Sequence, residues 1–157
     1  MTFNIEEQLA GWAAVEFFLL EETSAWPVVV TDENAGTIVI TPEVNDVDGT
    51  IEPDSIVISD DPKDDASGQL WPIDIRYRFL ARNAAMEQLL EQYANKPGIV
   101  RGCGNDGNRK QWGTNQEPVY MTYKNAYGTK RQDAHGIDIT IKGDLSSRPV
   151  YFTVNEF

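Results

Sequence analysis

Cysteine and histidine are nearly absent from the sequence. Its 157 residues include one cysteine, Cys103, and one histidine, His135. A lone cysteine excludes an intramolecular disulfide framework, and the Cys/His sets that bind structural zinc are missing as well. A catalytic Cys–His pair would require the fold to bring the two residues together. No other pattern marks them, so we expect Cys103 to be an unreactive thiol.

Long apolar runs and a basic N-terminus are also missing. The first twenty residues are acidic, whereas a secretory signal begins with basic residues followed by an apolar run. The stretch "AAVEFFLL" is interrupted by Glu16 and is too short to cross a bilayer. We therefore expect no membrane-spanning segment and no targeting signal. The length predicts a single domain, 1–157, that buries roughly 70% of its unfolded surface.

Basic residues are scarce in the first part of the chain. Residues 1–65 contain 16 Asp/Glu and one basic residue, Lys63, which gives a net charge of −15. Residues 66–157 contain 9 Asp/Glu and 12 Lys/Arg, which gives +3. A polarised molecule can stack with acidic faces against basic ones, and the alternative is an acidic loop that maintains solubility. The total of −12 argues against nucleic-acid binding through a basic face.

Alternating apolar and polar residues predict β-strands. In "WPIDIRYRFL" (71–80) apolar residues alternate with charged ones, and "GIDITIKG" (136–143) has the same period of two. The run "RPVYFTV" (148–154) follows a "GDLSS" turn, so we expect it to form a hairpin with 136–143. Shorter β-rich runs are "VVV" (28–30), "TIVIT" (37–41), "SIVIS" (55–59) and "PVYMTYK" (118–124).

One helix is predicted clearly, over about 84–95. It follows the potential cap Asn83, it stops before Pro97, and its apolar residues fall at helical spacing. A weaker helix is predicted near 4–15. Residues 43–68 are rich in Asp, Pro and Gly and are interpreted as an acidic loop or extended arm. Together these elements predict a mainly β (α+β) fold, an antiparallel β-sandwich or barrel with one packed helix.

The stretch "RGCGNDGN" (101–108) has the G-x-G-x-x-G spacing of a dinucleotide-binding loop. That loop must open a helix whose N-terminus meets the pyrophosphate. The following "NRKQWGTNQEP" has no apolar period and ends at Pro118, so no helix is expected. We interpret the stretch as a hairpin tip, in which Asn105, Asp106 and Gly107 form the turn and Trp112 lies on the returning strand. We predict no cofactor.

Two aspartate clusters are candidates for a metal site. The clusters "DVDG" (46–49) and "DDPKDD" (60–65) supply the oxygen ligands that calcium prefers, but neither has the spacing of an EF-hand loop. A calcium site of another type is one alternative, and a solvated acidic loop is the other. Because no metal-ligand or catalytic pattern is present, we predict a protein that is not an enzyme.

Four stretches within residues 70–157 carry a resemblance to known proteins. They are "IDIRYRF", "MEQLLEQYANKPGIV", "GNDGNRKQWGT" with "QEPV", and "HGIDITIKGDLSSRPVYF", which occur in that order. This order is similar to that of small virion proteins from tailed phages and prophages of Bacteroides-type bacteria, the crAss-like phages included. The first 65 residues carry no such resemblance.

The resemblance implies a ring-forming part of the phage tail tube or of the portal–tail connector. A tail-tube-like subunit of this kind forms a homo-oligomeric ring with joined sheets, contacts other tail or connector proteins, and lets DNA pass without specific binding. It is assembled in the host cytoplasm and located in the virion. The acidic arm would line the lumen or bridge to the next ring. The residues expected at an interface or lumen are Asp60, Asp61, Asp64, Asp65, Asn105, Asp106 and Trp112.

Two other functions are weighed against this one. A carbohydrate- or protein-binding β-sandwich module would present an exposed aromatic platform, for which the candidates are Trp112, Tyr120, Tyr123 and Tyr127. An enzyme of unrecognised type is the third hypothesis, and no motif in the sequence supports it.

Overall fold

Strands with a period of two dominate the structure. The computed structural model describes residues 11–41, 51–52, 54–66, 68–80, 84–126 and 136–153. The helix α1 spans Ala84–Tyr93. The strands are β1 (Trp12–Leu19), β2 (Thr23–Ser24), β3 (Val39–Ile40), β4 (Val57–Ser59), β5 (Lys63–Asp65), β6 (Gly68–Phe79), β7 (Pro97–Gly104), β8 (Arg109–Trp112), β9 (Val119–Ala126), β10 (Gly136–Leu145) and β11 (Val150–Tyr151).

Nine of these strands form one antiparallel sheet that curls into half a barrel. The order along the sheet is β11-β8-β7-β9-β10-β6-β4, with β1 paired to β7 and β5 paired to β6. The strands β2 and β3 form a separate two-stranded sheet. The prediction of a mainly β fold with one packed helix is thereby confirmed for the described residues.

The core lies on the inner face of the curl. Strands β6 and β10 contribute three apolar cross-strand pairs, which are Phe79–Ile137, Tyr77–Ile139 and Ile75–Ile141. All six side chains are buried. Full burial of an isoleucine stabilises a fold by about 1.5–3 kcal/mol, so this ladder is a main source of stability. The alternation seen in the sequence at 71–80 and 136–143 therefore identifies the central strands correctly.

The helix α1 packs on the same core through its apolar stripe. Leu90 and Tyr93 are buried, and the Tyr93 ring lies edge-on to Phe17, with 6.3 Å between the ring centroids. The helix ends two residues earlier than predicted, because Asn95 adopts a left-handed φ of 60° and donates its N–H to the Met121 carbonyl at 2.9 Å. Residue 83, the predicted cap, lies outside the described part of the chain.

A second and smaller apolar cluster covers part of the outer face. Four buried apolar residues do not belong to the main core: Ala35, Ile38, Ile99 and Phe152. They come from the segment before β3, from β7 and from the residue after β11. The outer face of the sheet is thus partly covered by residues 35–40 and by the C-terminal end of the described chain.

Two sequence predictions about the first part of the chain are wrong. The weak helix near 4–15 is contradicted where it is described, since Trp12 onward forms strand β1, with Val15 and Leu19 buried at even spacing. Residues 1–10 lie outside the described part. The predicted 28–30 strand is also absent, because Val28 and Val29 belong to no strand and are 91% and 68% exposed.

The predicted hairpin between 148–154 and 136–143 is wrong as well. Strand β11 pairs with β8, where Val150 is opposite Gln111 and Tyr151 is opposite Lys110. The physical reason is that β10 already has β6 on one edge and β9 on the other. No edge of β10 remains for a third partner, so the chain crosses to β8.

The acidic segment 43–68 is largely part of the sheet. Residues 42–50 lie outside the described chain, but Ile51 bridges to Phe79, β4 pairs with β6, and β5 forms a hairpin with the start of β6. From residue 51 onward the segment is thus bound to the sheet and is not an extended arm, and the "SIVIS" strand (55–59) expected within it corresponds to β4. Backbone hydrogen bonds to the long strand β6 hold the described part of this segment in place.

Candidate functional site

Asp60 joins two distant parts of the curled sheet. It follows β4, and its Oδ2 accepts hydrogen bonds from Lys110 Nζ at 2.6 Å and from Trp112 Nε1 at 2.9 Å, both on β8. The side chains of Asp60 and Lys110 are only 20% and 15% exposed. Because β4 and β8 are far apart in the strand order, this contact closes the curl from the inside. Asp60 therefore makes its contacts within one chain, whereas the sequence suggested an interface or a lumen.

Trp112 is a core residue. Its side chain is fully buried, and its ring meets that of Trp12 edge-on, with centroids 5.3 Å apart. A Cβ at Gly102 would lie 3.0 Å from the Trp112 ring, so glycine there leaves room for the indole. The expectation that Trp112 lies on the returning strand of the hairpin is confirmed, but the buried ring reaches neither a lumen nor a subunit surface.

The other acidic candidates of this segment lie at the edge of the sheet. Asp61 and Asp64 are exposed, and Asp64 and Asp65 belong to the edge strand β5. In β5, Asp64 is opposite Gln69 and Asp65 is opposite Gly68. The exposed charges of Lys63 and Asp64 on this short edge strand discourage pairing with another chain, so this edge is protected.

The hairpin tip at 104–108 is exposed and well defined. Gly107 N–H donates to the Gly104 carbonyl at 3.0 Å, and Gly107 has a φ of 87°, which matches a three-residue loop closed by a left-handed residue. The Asp106 carboxylate accepts from the backbone and side-chain N–H groups of Asn108, both at 3.0 Å. The hairpin prediction for "RGCGNDGN" is confirmed: the glycine spacing serves a turn that leads into a strand.

Asn105 and Asp106 therefore lie where a surface contact is feasible. Both are exposed at the tip, and the Asn105 N–H donates to the Gly11 carbonyl at 3.1 Å. This bond fixes the tip against the start of β1. Of the predicted interface residues, these two together with Asp61 and Asp64 are the ones whose side chains the structure shows at the surface.

Strand β1 carries a feature that the sequence analysis missed. Among the described residues β1 pairs with β7 along one edge only. It is eight residues long, Glu16 is its single charged residue, and Ala13 and Ala14 are exposed. A long edge strand with little charge is a ready template for pairing with another strand. The wrong helix prediction for this region concealed the edge.

Opposite charges from the two halves of the chain meet inside the subunit. Three described ion pairs join the acidic first part to the basic second part: Asp60–Lys110, Glu52–Arg78 and Asp32–Arg148. In the last pair the oxygen–nitrogen distance is 2.7 Å, and Arg148 lowers the pKa of Asp32, helped by the Tyr151 N–H. Part of the charge asymmetry of the sequence is thus neutralised within one molecule.

The remaining catalytic and metal-binding candidates are Cys103, His135 and the aspartate clusters. Cys103 is half-buried, and its Sγ lies 3.5 Å from the Gly104 carbonyl oxygen. His135 and the "DVDG" cluster lie outside the described residues. No group of three His, Cys, Asp or Glu side chains in the described ranges is arranged to hold a metal ion. The catalytic Cys–His pair and a calcium site at the first cluster therefore stay alternatives that the described residues do not decide.

The aromatic platform of the binding-module hypothesis does not form as predicted in the described part of the chain. Tyr120 is 46% exposed, Tyr123 is half-buried and Trp112 is fully buried. Residue 127 lies outside the described chain. A stacking platform for a sugar needs adjacent exposed rings.

Arg101 is a further residue that the sequence analysis did not single out. It lies on β7, opposite Glu16 on β1 and Gln111 on β8. Its side chain is largely removed from solvent, and this desolvation lowers its pKa from the usual value. The sequence offered one signal for it: Arg101 lies two residues before Cys103 on a strand, so the two side chains share the outer face.

Comparisons with known proteins returned no match. A scan against protein-family models found no matching family, and searches of curated proteins and of solved structures found no similar chain. No helix within the described ranges combines the length and apolar character needed to span a membrane.

Proposed function

We propose that the protein is a non-enzymatic structural subunit of a phage virion, which assembles with copies of itself into a ring of the tail tube or portal–tail connector. The observation that carries the proposal is the exposed edge of β1, together with the virion-like order of elements over 70–157. Edge-to-edge pairing would extend the sheet of one subunit into the next.

A closed ring requires two different surfaces on each subunit. Pairing of β1 with β1 of another copy would be isologous and would stop at a dimer, whereas a ring needs a heterologous contact. Other edges of the same sheet are provided by β4 and β11. The exposed hairpin tip at Asn105 and Asp106 lies beside the start of β1 and would contact the neighbour next to the strand joint.

The acidic surface supports passage of DNA without retention. Asp61 and Asp64 are exposed near the β5 edge, and the chain as a whole carries a net charge of −12. A negative lumen repels phosphate groups and gives no counterion release, so DNA would slide through it. The partners under this proposal are other copies of the chain and neighbouring tail or connector proteins, in the virion.

Charges placed on the β1 edge test the assembly. The double variant Ala13→Lys/Ala14→Lys adds two cations to exposed positions of β1, and Ala84→Lys/Ala85→Lys makes the same change at exposed positions of α1. We expect native mass spectrometry and electron microscopy to show oligomers for the wild type and for the α1 variant, and monomers for the β1 variant. A strict monomer that is also absent from purified virions would contradict the proposal.

A further inference from the structure

Polar side chains on three adjacent strands are aligned on the outer face, and a valine on a fourth strand continues their row. One row consists of Glu16 on β1, Arg101 on β7, Gln111 on β8 and Val150 on β11, each opposite the next. In the adjacent row, Cys103 is opposite Arg109. Because alternate residues of a strand share one face, these two rows form a single surface.

Arg101 is held rigidly in the first row. Its Nε donates to Gln111 Oε1 at 2.9 Å, and its Nη2 donates to the Ala35 carbonyl at 2.9 Å. Its guanidinium carbon lies 4.4 Å from the centroid of the Phe152 ring. Gln111 is itself 99% buried and donates to the Gly113 carbonyl, so the acceptor that orients Arg101 is fixed. These contacts leave the Nη1 hydrogens and one Nη2 hydrogen for another acceptor.

A cleft of about 510 Å³ opens beside this guanidinium. Arg101 and Arg109 line it, and its apolar wall includes Phe18, Ile40 and Phe152. Small-molecule sites typically have volumes of roughly 300–1,000 Å³, with apolar walls and a few polar groups that fix orientation. The volume and lining of this cleft match that pattern.

The charge of the cleft defines the ligand class. Two arginines and one carboxylate, Glu16, line it. The formal sum is one positive charge, which a monoanion neutralises and a dianion exceeds. A desolvated guanidinium binds a planar carboxylate through two parallel hydrogen bonds.

We propose that this outer-face cleft binds a small organic carboxylate with an apolar body, with the carboxylate on Arg101 and Arg109 and the apolar body against Phe18, Ile40 and Phe152. The cleft includes Ala14, Glu16 and Phe18 on the outer face of β1, whereas ring assembly uses the backbone edge of that strand. Ligand affinity and oligomeric state are measured separately, so each proposal can fail without the other. Glu16 disfavours a second negative charge on the ligand.

Calorimetric titration of the full chain tests the ligand class. The probes are phenylacetate and octanoate, each with its neutral amide, phenylacetamide or octanamide, and inorganic phosphate as the comparison anion. We expect saturable binding of a carboxylate, with its amide and phosphate at least about tenfold weaker, because they lack the charge or exceed it. Lack of saturable carboxylate binding at millimolar concentration, equal binding of the amide, or tighter binding of phosphate would each overturn the proposal.

Two variants locate the binding within the cleft. Arg109→Gln removes one cation from the rim, and Arg101→Lys keeps the charge but loses the planar fork. We expect each to weaken carboxylate binding about tenfold or more. Arg76→Gln, at a side chain 61% exposed on β6, is the control. Circular dichroism identifies any variant that fails to fold; if Arg101→Lys does so, Arg109→Gln decides alone. Unchanged affinity in Arg109→Gln would refute the site.

Discussion

Single residues determine how this half-barrel is closed. The carboxylate of Asp60 connects the segment after β4 with Lys110 and Trp112 on β8, and both donors are largely shielded from solvent. Charged hydrogen bonds in such surroundings contribute more than exposed ones, because water competes less for the same groups. The aspartate cluster "DDPKDD" thus contains one structural residue and several exposed ones.

Replacement of that carboxylate should destabilise the fold. Asp60→Asn keeps an oxygen that accepts one hydrogen bond but removes the charge that balances Lys110. We expect the free energy of unfolding to fall by about 1.5–3 kcal/mol, as for other hydrogen bonds to charged groups. Urea denaturation measures the effect, and Asp61→Asn at the exposed neighbour is the matched control. Equal midpoints for the two variants would contradict the role of Asp60.

A second carboxylate should confer pH dependence. Arg148 and the Tyr151 N–H bind Asp32 and lower its pKa below the usual value of about 4. Because the folded-state pKa is the lower one, the pair adds stability above pH of about 4, and that stability is lost as the pH falls through the lowered pKa.

The pH dependence can be isolated with one substitution. Asp32→Asn should be less stable than the wild type at neutral pH, and the difference should vanish in acid. Thermal unfolding between neutral pH and about pH 2 checks this, with Glu33→Gln, at an exposed neighbour, as the control. A difference between Asp32→Asn and the wild type that persists at the acidic limit would rule out this linkage.

At the scale of elements, strands were predictable where apolar and polar residues alternate, because the alternation assigns one face to the core and the other to solvent. The alternating run at 71–80 overlaps β6 up to Phe79, the run at 136–143 lies within β10, and the "RGCGNDGN" stretch is the predicted turn. Helical spacing likewise identified α1. These signals are local, because periodicity and turn residues act within about ten residues.

Pairing partners were not predictable from local sequence. The β11 segment follows a turn after β10, yet it pairs with β8 because both edges of β10 are occupied. The contacts of the candidate site were not predictable for the same reason. Both the contact of Asp60 with β8 and the row of residues that contains Arg101 depend on which strands are neighbours in the sheet. No spacing within either segment reveals such contacts.

The hairpin tip offers a test of an element through its backbone alone. Gly107 has a φ of 87°, and a Cβ at this position would have no neighbour within 4 Å. Gly107→Ala should therefore cost about 1 kcal/mol from backbone strain without any clash. Gly107→Asn should cost less, since asparagine tolerates left-handed backbone. Chemical denaturation ranks the three proteins, and an alanine variant as stable as the wild type would refute the assigned turn.

At the scale of the molecule, charge in the sequence and charge in space differ. The first 65 residues carry −15 and the remainder +3, but three ion pairs join the two parts within one subunit. Fewer unpaired charges therefore remain for electrostatic attraction between the acidic part of one copy and the basic part of another than the sequence suggested. The remaining net charge of −12 acts mainly as self-repulsion.

Salt should stabilise the folded chain for that reason. Screening weakens repulsion among exposed carboxylates more than it weakens shielded pairs such as Asp60–Lys110. We expect the midpoint temperature at neutral pH to rise as sodium chloride increases to about 0.5 M, where the Debye length falls to a few ångströms. Near the pI of about 4.4 the rise should disappear. A midpoint that falls with salt at neutral pH would show that attraction dominates.

The pairing of β1 with β7 also has a kinetic consequence. Leu19 is opposite Gly98, so β1 can dock only after the intervening chain has closed a long loop. Loop-closure entropy opposes pairing between segments that are distant in sequence, whereas the pairs β7–β8 and β9–β10 join much nearer segments. The N-terminal strand is thus expected to join last and to open first, and while it is open its place on β7 is accessible to the same strand of another copy. Strand exchange between two copies would then follow from the order of folding.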